Sequence, residues 1–280
     1  MSINFLIPEA NMQFCLYWKR VLDIVAEEID FLNFYVMPCY DISKYSKCPE
    51  EDAKYFKKNS LIIYLGDEHL NRKIPHEKAF AVVKNYVSDD NKISNIIPVP
   101  LGTIVNLDIP YIPAENREID IFFIGQKFSC DGKTIGKPDR DEMWEAMTVL
   151  KNGNKNLNIK VQLTEYFTLG LSRKEYAECL ANSKIALCPY GTNRETFRFS
   201  EAMKYGAVVA SCELPHHWFY DNSPHIKLNN WFELDKIMKV LNDKTLLNDF
   251  HKSHLNWWDT VLSEKAMAKF IVTKVKKLRK

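Results

Sequence analysis

The sequence has 280 residues, of which 46% are hydrophobic and 26% charged, a composition that excludes a disordered chain. At roughly 150 residues per domain the length suggests two domains. Thirty-eight Lys and Arg against 36 Asp and Glu leave a net charge of +2, too little for a generally basic nucleic-acid-binding protein, so nucleic acid is not expected as a partner.

In the first part of the chain, short apolar runs predict strands at residues 3–7, 31–37, 61–65 and 96–99. Apolar residues at helical spacing predict helices at 14–29 and 77–87. Residues 44–58 are polar and fit a helix or a loop. Residues 106–117 hold Pro110 and Pro113 without a clear period and mark a boundary. A second series follows, with strands at 119–124, 159–163, 185–188 and 207–211. Helices are predicted at 141–151, 173–183, 197–205, 231–241 and 246–256, and a long terminal helix at 258–280. Strands separated by helices and reading as continuous apolar runs indicate βαβ units with parallel sheets covered on both faces. The expected fold class is α/β, with two Rossmann-like domains facing across a cleft, where ligands usually bind. The domains are residues 1–112 and 113–256, and 257–280 form a basic helix packing back toward the N-terminal domain.

Seven scattered cysteines without a Cys-x-x-Cys pair read as reduced thiols. No apolar run reaches the ~18 residues of a membrane span, and residues 1–14 lack the basic start of a signal peptide. A cytoplasmic location is expected.

The stretch with the most chemistry is 179–213, which reads helix, strand, loop, helix, strand. Its loop, Pro189-Tyr190-Gly191-Thr192-Asn193-Arg194-Glu195-Thr196, precedes a helix start. In open α/β sheets ligands bind beyond the carboxyl ends of the strands, and a helix N-terminus there offers unpaired N–H groups to a phosphate. Arg194 and Arg198, four apart, share a helix face if both lie on the first turn, and guanidinium groups suit phosphates. Glu201, three residues on, offers an acceptor for a ribose diol. An ordinary Arg198–Glu201 ion pair on a surface helix explains the same spacing.

The run Ser183–Ala210 resembles the donor-binding segment of exostosin-like glycosyltransferases with the GT-B fold. Cys188, Pro189, Gly191, Thr196, Arg198, Glu201, Ala202 and Gly206 fall on that family's pattern. The resemblance implies a nucleotide-diphosphate sugar bound by the second domain, with Arg198 on the diphosphate and Glu201 on the ribose. It also implies that Gly125 lets a loop approach the donor. Gln126, Tyr190 and Phe197 join the donor-binding set, and Arg194 rests on the helix argument alone. The acceptor, a glycan or glycolipid, is expected on the first domain. Many retaining GT-B enzymes carry a Glu eight residues before the ribose Glu. Position 193 is Asn, which leans toward an inverting enzyme.

Inverting transfer needs a general base for the acceptor hydroxyl and a stabilised leaving diphosphate, here supplied by Arg and helix N–H groups rather than a metal. The base candidates are Asp67, Glu68 and His69 at the end of the strand 61–65. The alternative for the first two is capping of the next turn. No cofactor is expected beyond the nucleotide sugar.

Other features weigh less. Residues 125–134 contain Gly-Lys-Thr, but Lys127 stands where a P-loop needs Gly. Gly136 and Pro138 do not continue a helix, so a flexible loop over the donor is expected there. His216, His217 and His225, and separately His251 and His254, match no ligand spacing, so no metal is expected. Residues 264–280 carry seven Lys or Arg and one acidic residue. They read as a packed helix with a solvated basic end, compatible with contact to an anionic membrane surface. The alternatives to a transferase are a catalytically silent GT-B-like protein binding a nucleotide sugar or a partner transferase, and an epimerase of the same fold.

Overall fold

A computed structural model describes residues 3–6, 16–38, 50–68, 70, 73–88, 93–127, 137–165 and 170–280. The chain forms two compact units, Met1–Ile104 with Val261–Lys280, and Val105–Thr260.

The first unit is built on a five-stranded parallel sheet: β1 (Ile3–Phe5), β2 (Asn33–Pro38), β3 (Ser60–Leu65), β4 (Ala81–Lys84) and β5 (Ile96–Pro98), lying side by side in chain order. Helix α1 (Leu16–Glu28) joins β1 to β2, and a short α2 (Glu50–Ala53) precedes β3. Every residue of β3 and β4 is buried, as parallel strands covered on both faces are. The helix expected at 77–87 is instead a 3₁₀ turn, His76–Lys78, followed by β4. The β-branched pair Val82-Val83 favours the pleated, doubly buried site.

Helix α1 buries Tyr17, Trp18, Val21, Leu22 and Val25 on one stripe. Opposite it lies the terminal helix α9 (Glu264–Leu278), which buries Met267, Ala268, Ile271, Val272 and Val275. The single helix expected over 258–280 is interrupted. A π-helical turn, Trp258–Leu262, ends at Ser263, whose hydroxyl caps α9 by accepting from the Ala266 N–H at 3.3 Å. The Tyr17 hydroxyl donates to the Leu262 carbonyl (2.6 Å), the Trp18 indole to that of Leu101 (3.1 Å), and Lys276 pairs with Glu28 (2.8 Å). The apolar stripe of α9 is thus consumed by packing, and its exposed face is basic. Among the described residues no helix is long and apolar enough to cross a membrane.

Gly102 sits against Tyr17 at φ +78°, and a Cβ there would lie 2.3 Å from the Tyr17 ring. The ring is fully buried and tied to Leu262, so it has nowhere to move. Gly102→Ala is expected to cost more than about 2 kcal/mol, from left-handed strain and overlap together. A chemical denaturation midpoint indistinguishable from wild type would contradict this.

The second unit holds β6 (Ile119–Gln126), α3 (Lys137–Gly153), β7 (Ile159–Thr164), α4 (Arg173–Ala181), β8 (Ser183–Leu187), α5 (Phe197–Lys204), β9 (Val208–Ser211), α6 (Trp218–Asp221), β10 (Ile226–Lys227), α7 (Leu234–Asn242) and α8 (Lys244–Trp257). Its parallel strands run in the order β10-β9-β8-β6-β7. This is a doubly wound sheet whose order reverses between β6 and β8, the point where such sheets open a crevice at their carboxyl ends. Phe123, Met143, Met147, Ile185, Val208 and Trp231 share its core.

Helix α3 begins four residues before the predicted start of 141. Pro138 lies in its first turn, where the missing N–H leaves no helix bond unmade. The Gly-Lys-Thr sequence before it lies outside the described residues.

Candidate donor site

At the β6/β8 switch, Ile124-Gly125-Gln126 stand at the carboxyl end of β6, and Cys188-Pro189 and the loop to Thr196 follow β8. Helix α5 starts at Phe197, with Thr196 at its N-cap in an extended conformation (φ −136°). The Thr196 side chain makes no capping bond, and the Thr196 backbone carbonyl accepts from the Phe199 N–H at 3.2 Å.

Arg198, on that first turn, reaches across to β6. Its Nη2 donates to the Ile124 carbonyl at 2.6 Å, and its guanidinium lies 4.3 Å from the centre of the Phe123 ring. Its Nε is buried without a hydrogen-bond partner among the described residues. Gly125 is where the close approach occurs: a Cβ there would meet Arg198 Nη2 at 2.9 Å. A cation is therefore fixed at the switch point by a carbonyl and an aromatic face, with donor capacity unspent.

Arg194 is placed differently from expectation. It precedes the helix, so it shares no helix face with Arg198. It pairs with Glu213, 3.0 Å away on the loop after β9, and both side chains are well exposed. Its guanidinium lies 6.0 Å from the Tyr190 ring, and the Tyr190 hydroxyl donates to the Glu213 carbonyl. Pro189 is buried, and Gly191 and Phe197 are partly exposed beside them. Glu195 is buried and accepts from the Tyr220 hydroxyl at 3.1 Å.

Glu201 is buried (4% exposed). One carboxylate oxygen accepts from the Val105 N–H (3.0 Å) and the other from the Tyr176 hydroxyl (3.2 Å). The Arg198–Glu201 ion pair that the spacing allowed is not formed, because each side chain is committed elsewhere. Glu201→Gln leaves one of two buried donors without its acceptor and is expected to destabilise the unit by about 1–3 kcal/mol. Equilibrium unfolding checks this, and an unchanged stability would mean that neither bond matters.

Two residues absent from the sequence reading, Asp139 and Arg140, stand at the start of α3 and touch the same loop. Asp139 accepts from the Tyr190 N–H and the Trp231 indole, and Arg140 donates to the Tyr190 carbonyl. Burial raises the pKa of Asp139, opposed by those donors. The available signal was an acidic residue just after Pro138, a helix-start pattern. Cys188 is buried, which pushes its thiol up to about 12, so it takes part as packing and not as a nucleophile.

The base candidates belong to the first unit. Gly66, at φ +87°, turns the chain after β3, and its N–H donates to the Asn85 side chain (2.9 Å). Asp67 is 3% exposed and lies 3.0 Å from Lys84 Nζ, which also donates to the Tyr86 carbonyl (2.9 Å). Glu68 is partly exposed and accepts from the Tyr86 hydroxyl at 3.1 Å. Tyr86 itself has φ +51°, a costly conformation for a bulky residue and one that clusters at functional sites. His69 lies outside the described residues.

The histidines serve the scaffold. His254 and His251 contact the backbone of Val209 and Gly206, and His225 contacts Ser223. Exposed His216 lies 3.3 Å from Asp221. Among the described residues no group of three His, Cys, Asp or Glu could hold a metal ion.

The model of the family described as RXYLT1 C-terminal domain matches residues 131–278, which include α3, the 189–196 loop and α5. No curated protein matches the sequence. Among solved structures, TarM aligns at TM-score 0.47 and 14% identity, over 78% of this chain and 55% of its own. A variant of S. aureus TarM in complex with fondaparinux, α-GlcNAc-glycerol and UDP aligns at 0.51 and 11%, over 91% and 58%. The GtfA/B complex aligns at 0.51 and 9%, over 94% and 60%. The chain thus spans less than two thirds of each of these proteins. At such identities the likeness is one of fold, and the fold is GT-B.

Proposed function

Because this chain belongs to the RXYLT1 C-terminal domain family, exostosin-like and of GT-B fold, we propose that it is a glycosyltransferase taking a sugar from a nucleotide diphosphate. The observation that supports this most is Arg198, a cation pinned at the carboxyl ends of β6 and β8 with its Nε unpartnered. A diphosphate meets there a guanidinium and the first turn of α5. Arg194, once drawn from Glu213, adds a second cation. Glu201, a buried carboxylate four residues after the start of α5, is the acceptor assigned to the ribose diol.

In the proposed inverting step the acceptor oxygen bonds to the anomeric carbon as the bond from that carbon to the phosphate oxygen breaks. The hydroxyl proton passes to a base, and the leaving diphosphate keeps the electron pair beside Arg198, with no metal required. Asp67 is committed to Lys84, so Glu68, oriented by the Tyr86 hydroxyl, is the favoured base of the pair. The acceptor is a glycan or glycolipid. The exposed lysines of α9 favour an anionic surface by charge alone, since its apolar residues are buried, and a cytoplasmic, membrane-peripheral place suits that.

UDP-sugars head the donors to test, since UDP is present in the TarM variant complex. Incubation with a panel of UDP-, GDP- and ADP-sugars, following release of the nucleoside diphosphate, is expected to single out one donor. Glu68→Gln should abolish release while leaving nucleotide binding intact. Binding without release from any donor, with or without oligosaccharide acceptors, would leave the silent nucleotide-sugar binder as the reading.

A further inference from the structure

Strand ends in a parallel sheet present carbonyl oxygens, which repel a phosphate unless a donor occupies them. Two guanidinium groups occupy three carbonyl oxygens at the end of β6 and in the loop after β8. Arg198 takes the Ile124 carbonyl at 2.6 Å. Arg140 takes the other two, with Nε on the Tyr190 carbonyl at 2.7 Å and Nη1 on the Gln126 carbonyl. One planar fork thus ties the end of β6 to the loop that follows β8. The neighbouring Asp139 completes the hold. Its Oδ2 accepts from the Tyr190 N–H at 2.6 Å, and its Oδ1 from the Trp231 indole at 2.6 Å. Both backbone polar groups of Tyr190 are therefore gripped by consecutive residues of one helix turn. The grip is close, since a Cβ on Gly191 would lie 3.2 Å from Arg140 Nη2.

We infer that Asp139 and Arg140 are positioning residues of the donor site: they fix the Pro189–Gly191 loop and turn the Gln126 and Tyr190 carbonyls away from the diphosphate. The inference rests on the donor reading above. Because the hold needs two donors of one rigid fork, a lysine, which keeps the charge but not the fork, does not replace Arg140.

The test uses Arg140→Lys, Arg140→Gln and Asp139→Asn in the full chain. Affinity is measured by calorimetry for whichever of UDP, GDP, ADP and CDP binds wild type most tightly. Amide hydrogen exchange is followed at residues 190–193 and, as a scaffold control, at residues 185–187 of β8. All three variants are expected to bind roughly tenfold or more weakly, with faster exchange in the loop and unchanged exchange in β8. Wild-type affinity in Arg140→Lys and Asp139→Asn would overturn the positioning role even if the loop loosens. Unchanged loop exchange would overturn the hold itself. Failure of wild type to bind any of the four nucleotides would bring down the donor reading first and this inference with it, an outcome seen before any variant is made.

Discussion

Arg198→Ala is expected to remove the thermal stabilisation that a nucleoside diphosphate gives the wild-type chain, while barely changing the stability of the free protein. A ligand that binds only the folded state adds about 2.7 kcal/mol at a hundred times its Kd. All of that depends here on a cation that the fold holds but does not pair with a carboxylate among the described residues. The free variant loses one hydrogen bond, to the Ile124 carbonyl, and the contact with the Phe123 ring, and is relieved of a buried, unpartnered Nε. These oppose each other, so its own stability should stay within about 1 kcal/mol. Differential scanning with and without nucleotide separates the two effects. A variant that keeps the full shift would place the anion elsewhere. Glu201 gives the complementary pattern, because its two buried bonds make it a stability residue before any ligand arrives.

The second large effect is acid sensitivity of the second unit. His254 is fully buried on α8. Its Nε2 accepts from the Val209 N–H at 2.9 Å, so its proton sits on Nδ1, which donates to the Phe250 carbonyl at 2.7 Å. Val209 needs this acceptor because β10 begins only opposite Ala210 and offers its amide no partner. Burial lowers the pKa of His254 from 6.5 to about 3, and that of His225 to about 4. The unfolded chain therefore binds protons that the folded chain refuses as pH falls below 6.5. Stability is complete above that pH and is lost toward pH 3, by up to roughly 5 kcal/mol for His254 at about 1.4 kcal/mol per unit. His254→Gln, whose amide oxygen can still accept from Val209, should be less stable at pH 7.5 yet lose about 2–4 kcal/mol less on acidification. Urea unfolding at pH 7.5, 6, 5 and 4 measures this. Parallel curves for the two proteins would refute the assignment.

Much of the fold was legible because parallel strands buried on both faces must read as apolar runs. β3 and β6 show this, as does the amphipathic stripe of α1. Legibility failed where period and propensity disagree over few residues. Residues 81–84 sit in a stretch whose apolar positions also fit a helix, and only pairing between β3 and β5 decides for a strand. α6 and β10 have four and two residues, too few to show a period. Pro138 reads in the sequence as a helix breaker, yet its place is the first turn of α3.

In the site, Arg198 was legible from the loop-to-helix pattern, while Arg194 was off by the one detail that spacing leaves open, where the helix begins. Asp139 shows in the sequence only as a helix-start residue and Arg140 not at all, since their partner Tyr190 lies some fifty positions along the chain. The partner of Glu201, Val105, lies 96 away. Contacts of that range come from the sheet order, which local patterns do not encode.

In the proposed complex a nucleoside diphosphate sits at the β6/β8 switch against Arg198. Amide and arginine Nε resonances of isotope-labelled protein, followed during titration with the nucleoside diphosphate that binds, test it most directly. Shifts are expected at Gly125, Gln126, Tyr190, Gly191 and the Arg198 Nε–H, with Lys160 of β7 and Cys179 of α4, which touch each other at 3.0 Å, unmoved. Shifts confined to other surfaces, with Gly125 and the Arg198 Nε–H unchanged at saturation, would contradict it.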